Sequence, residues 1–429
     1  MYKVKNIIIK GFWGEHTVST EFNLDVTIFI GRNGTGKTTF INLLQAVITV
    51  DLEMLYSLQF DTIELVLING KRTRKILVSK ISKDLEYRSL EYKIGSNKYD
   101  LPILSERDLQ YSRHRSGRLH PKFYRAIEDI KEKLTGLINL SYLSVHRENT
   151  LKVDNYRERD TPINSIDLKL LELMGELTSY QLQLETELGS LSKSFQVDVL
   201  KSLLFNKEFD YVNVNEPIKL KDLDLKKIRV GLKQAYKGLG ILDEETTKII
   251  EEHTLAISSA AESINKHVAD PEQPIYPNDV TPLTLLRRTR RIIDLSSKLE
   301  DNKASLFTPI NKYLKLLNDY NFEKDFELNS REELGLRISK DGQPIPTAQL
   351  SSGEKQLIIL LTESLLQKNK QTVFIADEPE LSLHIEWQRR VIPSIKELNP
   401  NAQVIIATHS PEIVGKWKNN ALNMENIYG

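Results

Sequence analysis

Cysteine is absent from the 429-residue chain. That excludes disulfides, thiolate-ligated zinc and thiol nucleophiles, and it suits a reducing compartment. An excess of charge is missing too: 59 Lys+Arg balance 59 Asp+Glu, for a formal net charge of +0. No global field draws the chain to nucleic acid or an anionic membrane, so any such contact must come from a local patch. No apolar run reaches the ~20 residues that cross a bilayer. The opening MYKVKNIIIKGFW is strand-like and lacks the apolar segment of a signal peptide. These absences predict a soluble cytoplasmic protein with no membrane partner. The 40% hydrophobic content suffices for a sizeable core, and the length has a prior of roughly two to four domains.

The richest local pattern is Thr27–Phe40, TIFIGRNGTGKTTF, preceded by the β-rich run Val26–Ile30 and followed by the helical pattern FINLLQAVI. Gly31, Gly36, Lys37 and Thr38 satisfy the phosphate-loop spacing G-x-x-x-x-G-K-[ST]. The glycines let backbone N–H groups turn toward phosphate oxygens at the positive end of a helix. Asn33, Gly34, Thr35, Gly36, Lys37, Thr38 and Thr39 are therefore candidate nucleotide-binding residues. Lys37 supplies a point charge for the β and γ phosphates, and the Thr38 hydroxyl can hold Mg²⁺.

Along the chain, Val4–Lys10 and Glu21–Ile30 read as strands flanking a turn at Gly11–Gly14. Phe60–Ile68 and Lys75–Ile81, joined by NGKR, read as a hairpin, with Leu85–Ile94 and the run after Gly95 extending an antiparallel layer. Arg107–Arg125 is basic; it suits a solvated loop or a phosphate-contacting patch. A short helix over Ala126–Leu134 leads to a buried strand, Leu137–Val145. From Thr161 to about Asn321 the pattern is helical. Leu170, Leu173, Leu177, Tyr180 and Leu184 keep a heptad rhythm that slips and resumes at Leu188, Leu191 and Phe195. Four prolines predict a loop over Asp270–Pro282. So few sustained heptads predict a compact insertion of short packed helices. Phe326–Ile338 returns to β-structure. The expected division is 1–160, a helical insertion over 161–322, and 323–429.

Three late stretches complete the chemistry. Val373–Ala376 is an apolar strand ending in Asp377-Glu378, the usual partner of a phosphate loop at the C-terminal edge of an open α/β sheet. Asp377 would bind Mg²⁺ through water, and Glu378 would polarise the water attacking the γ-phosphate. Val404–Ala407 is another buried strand. It ends in Thr408-His409-Ser410, where His409 is either structural or a γ-phosphate contact. LSSGEKQ, Leu350–Gln356, opens a helix and serves equally as an anion site or as a serine cap with Glu354.

GRNGTGKTT, LSSGEKQ, FIADEPELSLH and ATHSPEI, in this order, resemble the ATP-binding cassette (ABC) ATPases of the SMC/RecF/OLD group. The likeness covers about Met1–Val145 and Phe326–Val414. It implies an α/β ABC head, a mixed sheet with an antiparallel layer, assembled from both chain ends around the helical insertion. It further implies that Ser351 and Gly353 contact ATP bound by the opposite protomer, that His409 is the switch histidine, and that Leu381–His384 is the D-loop. Ser352 stands where the group usually has glycine, and His384 where it has aspartate. His146 and Arg147 replace the expected Q-loop glutamine, which puts its metal contact in question. The insertion is too short for SMC arms, and the chain leaves no room for the Toprim nuclease of OLD proteins. What remains resembles stand-alone ATPases of anti-phage systems such as PARIS and Septu. The implied function is a Mg²⁺-dependent ATPase, a homodimer or higher homo-oligomer, that controls a separate effector. A DNA-repair clamp in the manner of RecF is the alternative, and the arginines of Arg287–Arg291 leave nucleic-acid contact open.

Overall fold

A computed structural model describes residues 1–83, 87–102, 121–144, 165–202, 224–270, 276–320, 323–329 and 335–428, together with 204, 272 and 274. Expectations on His146, Arg147 and residues 107–120 lie outside them. The chain divides into two units, 1–178 with 309–429, and 179–308.

The first unit is built on two sheets. The strands β1 (Lys3–Phe12), β2 (His16–Glu21), β3 (Val26–Ile30), β4 (Thr62–Asn69), β5 (Arg72–Lys83), β6 (Tyr87–Ile94), β7 (Asn97–Pro102) and β8 (Leu140–Ser144) come from the N-terminal part. Those from the C-terminal part are β9 (Asp325–Asn329), β10 (Gly335–Lys340), β11 (Gln343–Pro344), β12 (Val373–Asp377), β13 (Gln403–Ala407) and β14 (Ala421–Asn423). An antiparallel sheet runs β2-β1-β4-β5-β6-β7, and a parallel sheet runs β14-β3-β13-β12-β8. β9, β10 and β11 form a separate small sheet. This is the mixed α/β head expected from the sequence.

The helix Lys37–Thr49 lies in the core shared by the two large sheets and is apolar nearly all round: Phe40, Ile41, Leu43, Leu44, Ala46 and Val47 are fully buried. A helix without a solvated face belongs in such an interior. The two chain ends are joined chemically as well. Gln403 on β13 accepts from the Val4 N–H and donates to the Val4 carbonyl (2.8 and 2.7 Å), where the pairing of β1 with β4 shifts register. Backbone groups left over by the bulge are thus satisfied by a buried amide.

Three expectations need correction. Glu21–Ile30 is not one strand: β2 and β3 lie in different sheets. The Asn23 side chain accepts from the Asp25 N–H (2.8 Å), an Asx turn that breaks the extended run. The loop expected through Pro282 ends sooner, because the helix Pro277–Tyr320 includes both Pro277 and Pro282. Pro277 sits at the first helical position, where its missing N–H is free of cost. Burial of Leu283 and Leu286 offsets the single backbone bond that Pro282 forgoes. The third correction is length. The helices Ser165–Ser202 and Pro277–Tyr320 have 38 and 44 residues, so the heptad slip does not interrupt the helix as short packed helices required. In the second unit they are joined by Leu225–Gly238 and Glu244–Ala269. Gly231 lies flat against Ile293, whose Cγ2 would be 2.7 Å from an added Cβ. Among the described residues no helix is long and apolar enough to cross a membrane.

Candidate nucleotide site

The parallel sheet decides what meets what. Register places Phe29, Ala407 and Asp377 in one row across β3, β13 and β12. The residues that follow these strands therefore emerge together at one sheet edge: the loop from Gly31, Thr408-His409, and Glu378. Backbone bonds lock the rims, with Thr408 N–H donating to the Phe29 carbonyl (3.0 Å) and Glu378 N–H to that of Ala407 (2.8 Å).

Within the loop, Gly34 and Gly36 take φ of +82° and +80°, a region open to glycine at little cost. Nothing lies within 4 Å of where a Gly34 Cβ would stand, so the loop is open on that side. Asn33 and Gly34 are exposed, Thr35, Thr38 and Thr39 half-buried, and Gly36 and Lys37 buried. The Lys37 ammonium folds back onto the carbonyls of Gly31 and Arg32 (3.0 and 3.1 Å). Burial holds its pKa below the ordinary lysine value, against the upward pull of Glu378, Asp377, Glu380 and Glu425. Lys37 opens the helix Lys37–Thr49, so its ammonium and the helix N-terminus can together hold a polyphosphate.

Asp377 is 1% exposed at the end of β12. Glu378 takes φ +48°, rare for a residue with a Cβ, and this turn carries its carboxylate to 3.6 Å from His409 Nε2. The sequence reading missed Glu380. Its Oε1 accepts from the Thr408 hydroxyl (2.6 Å) and from the N–H groups of His409 (2.7 Å) and Ser410 (3.2 Å), and so shapes the histidine loop. Its only local signal is its place two residues beyond the acidic pair. A hydroxyl at Thr38 and a carboxylate at Asp377 are hard oxygen donors, which fit Mg²⁺ held partly by a substrate phosphate.

Ser351 and Gly353 make their contacts elsewhere. Ser351 caps the helix Ser352–Leu366 in a reciprocal box with Glu354: Glu354 N–H donates to Ser351 Oγ (3.3 Å) and Ser351 N–H to Glu354 Oε2 (2.8 Å). Ser351 remains exposed, whereas Gly353 is buried against the segment after the acidic pair. Farther along, this helix is tied to the roots of the long helices. Lys355 pairs with Asp167 (2.7 Å), Tyr313 bonds Thr362 (2.7 Å), and Glu363 accepts from Ser141 (3.0 Å) near Lys169 (3.6 Å). Burial pushes the Glu363 carboxyl pKa up, opposed by Lys169 and Ser141.

An added Cβ at Gly353 would stand 2.3 Å from the Ser382 carbonyl oxygen. Gly353→Ala is therefore expected to destabilise the fold by about 1–3 kcal/mol, the usual range for overpacking. Chemical denaturation checks this; an unchanged midpoint would mean that Ser382 yields freely.

A phosphate loop, an acidic pair and a histidine meet on one parallel edge, with an antiparallel sheet over the loop helix, and this is the site of an ATPase. The chain belongs to the AAA ATPase domain family, whose profile matches residues 2–414. It is 21% identical over 432 aligned positions to the Retron Ec83 probable ATPase of Escherichia coli, covering 96% of this chain and 69% of that protein. It is 27% identical to the Retron Vc95 probable ATPase of Vibrio cholerae over 161 positions, 29% of this chain and only 31% of that protein. Among solved structures, the Smc head domain of Pyrococcus furiosus bound to the C-terminal domain of ScpA aligns over 99% of this chain and 94% of that one. The identity there is 15% and the TM-score 0.44.

Proposed function

We propose that ATP bound by Asn33–Thr39 of one head is closed in by Ser351 and Gly353 of a second, and that hydrolysis reopens the pair. Bound Mg²⁺, held by Thr38 and Asp377, would neutralise charge on the phosphates. Glu378 would orient and deprotonate the attacking water, and His409 would hold Glu378 and contact the γ-phosphate. The observation that carries this reading is the Glu378–His409 approach at the edge that also presents Lys37. In this reading the cycle drives a homodimer or higher homo-oligomer that holds and releases a separate effector protein, with a nuclease as its class and anti-phage defence as its setting. Support comes from the relatives named as retron ATPases, and from a helical unit that phosphate chemistry does not require.

The test is to replace residues 179–308 with a short Gly/Ser linker. Nucleotide binding should persist within about twofold, because the loop's ties run to 1–178 and 309–429. Capture of a protein encoded beside it should be lost. Retained capture would move recognition onto the head. A second reading, a DNA clamp, is favoured by Arg287, Arg290 and Arg291, all exposed on one helix. Loss of steeply salt-dependent DNA binding in the same replacement would select it.

A further inference from the structure

The segment after β14 reaches the phosphate loop. β14 runs parallel to β3, with Leu422 beside Phe29 and Asn423 beside Ile30. Met424 is fully buried in the head core, and its Cβ and Asn423 Oδ1 are among the atoms a side chain at Gly31 would meet. Glu425 lies 3.8 Å from Arg32. Tyr428 goes furthest, for its hydroxyl donates to the Thr35 carbonyl inside the loop. A bridge to Val18, and a bond from Ser19 N–H to the Ile427 carbonyl (3.3 Å), fix the backbone that carries it. Its ring stacks on Trp13 at 6.3 Å and meets Phe12 at 6.1 Å and His16 at 5.4 Å.

A trans peptide points its C=O and its N–H in opposite directions. Holding the Thr35 carbonyl toward Tyr428 therefore turns the Gly36 N–H the other way, away from Tyr428. Gly36 leaves the peptide after Thr35 free to rotate, and the bond from Tyr428 narrows that choice. Within the loop the Thr35 hydroxyl and N–H donate to the Arg32 carbonyl (2.9 and 3.4 Å), which leaves the Thr35 carbonyl to Tyr428. The Lys37 ammonium bonds the carbonyls of Gly31 and Arg32, where a bound phosphate would compete for it. The Tyr428 hydroxyl carries no charge and approaches from the aromatic side, so its bond does not compete with phosphate.

We propose that Tyr428 is a positioning residue for the nucleotide: through the Thr35 carbonyl it sets the Gly36 N–H, and with it the loop, in the phosphate-accepting form. This rests on the phosphate-site reading above. Tyr428→Phe keeps the ring against Phe12, Trp13 and His16 and removes only the donor. In the full-length protein, a fluorescent ADP should bind roughly three- to tenfold more weakly, the effect of one lost hydrogen bond. KM for ATP should rise by the same factor, with kcat held within about twofold. Deuterium uptake over residues 31–37 should quicken without nucleotide, while the thermal midpoint moves by no more than a few degrees. Unchanged affinity and unchanged uptake would overturn the proposal, as would a fall in kcat at constant KM. Lys37→Ala is measured alongside. If it binds nucleotide normally, the phosphate-site reading fails; if it loses binding while Tyr428→Phe does not, only the positioning role fails.

Discussion

Glu378→Gln should keep ATP bound and lower its hydrolysis by about 10²–10⁴-fold, the range for removing a general base. The substitution keeps side-chain shape while deleting the charge, and the left-handed turn at 378 remains as demanding of glutamine as of glutamate. Binding should tighten rather than weaken. Glu378 is the carboxylate that most strongly pulls up the Lys37 pKa, so its charge reaches the phosphate cradle and would repel a triphosphate there. Single-turnover hydrolysis with radiolabelled ATP, beside equilibrium binding, reads both halves. A variant that hydrolyses at the wild-type rate would remove Glu378 from the role of base. The 3.6 Å approach of His409 would then be a structural contact.

The parts of the head legible in the sequence were those whose signal is local. Val373–Asp377 and Gln403–Ala407 are buried along their whole length and Val26–Ile30 as far as Phe29, and near-continuous apolar runs mark such parallel strands. The loop at Gly31–Lys37 was legible because its conformation needs glycine at fixed spacing. What escaped depends on residues far apart in the chain. Gln403 repairs a bulge at Val4 from 399 positions away, and Tyr428 reaches Thr35 from 393. No periodicity carries such pairs. Glu380 was invisible for a related reason: a carboxylate that accepts three donors from the next strand's loop looks, in sequence, like any other acidic residue in a turn. The helix through Pro282 shows the converse, with buried leucines overriding a local breaker.

Ser351→Arg should leave ATP binding by each chain nearly intact and lower hydrolysis on the order of 10²-fold, if the serine completes the partner's site. Ser351 is exposed and its hydroxyl bonds Glu354 within the capping box, so a bulky cation there points away from the fold. The cap itself is worth about 0.5–2 kcal/mol, and arginine forfeits it. Ser351→Ala separates the two effects, since it also loses the cap but adds neither bulk nor charge. It should share the stability loss while keeping more of the hydrolysis. Complementation then tests the sandwich directly. Mixed with Lys37→Ala, Ser351→Arg contributes an intact phosphate loop, and Lys37→Ala an intact Ser351. Each mixed pair therefore has one complete site, and random pairing of equal amounts should restore about a quarter of the wild-type rate. Two inactive variants that stay inactive together, despite pairing by size, would exclude a shared site. So would a strictly monomeric Ser351→Arg chain that still turns over ATP, because all its catalytic groups would then come from one head.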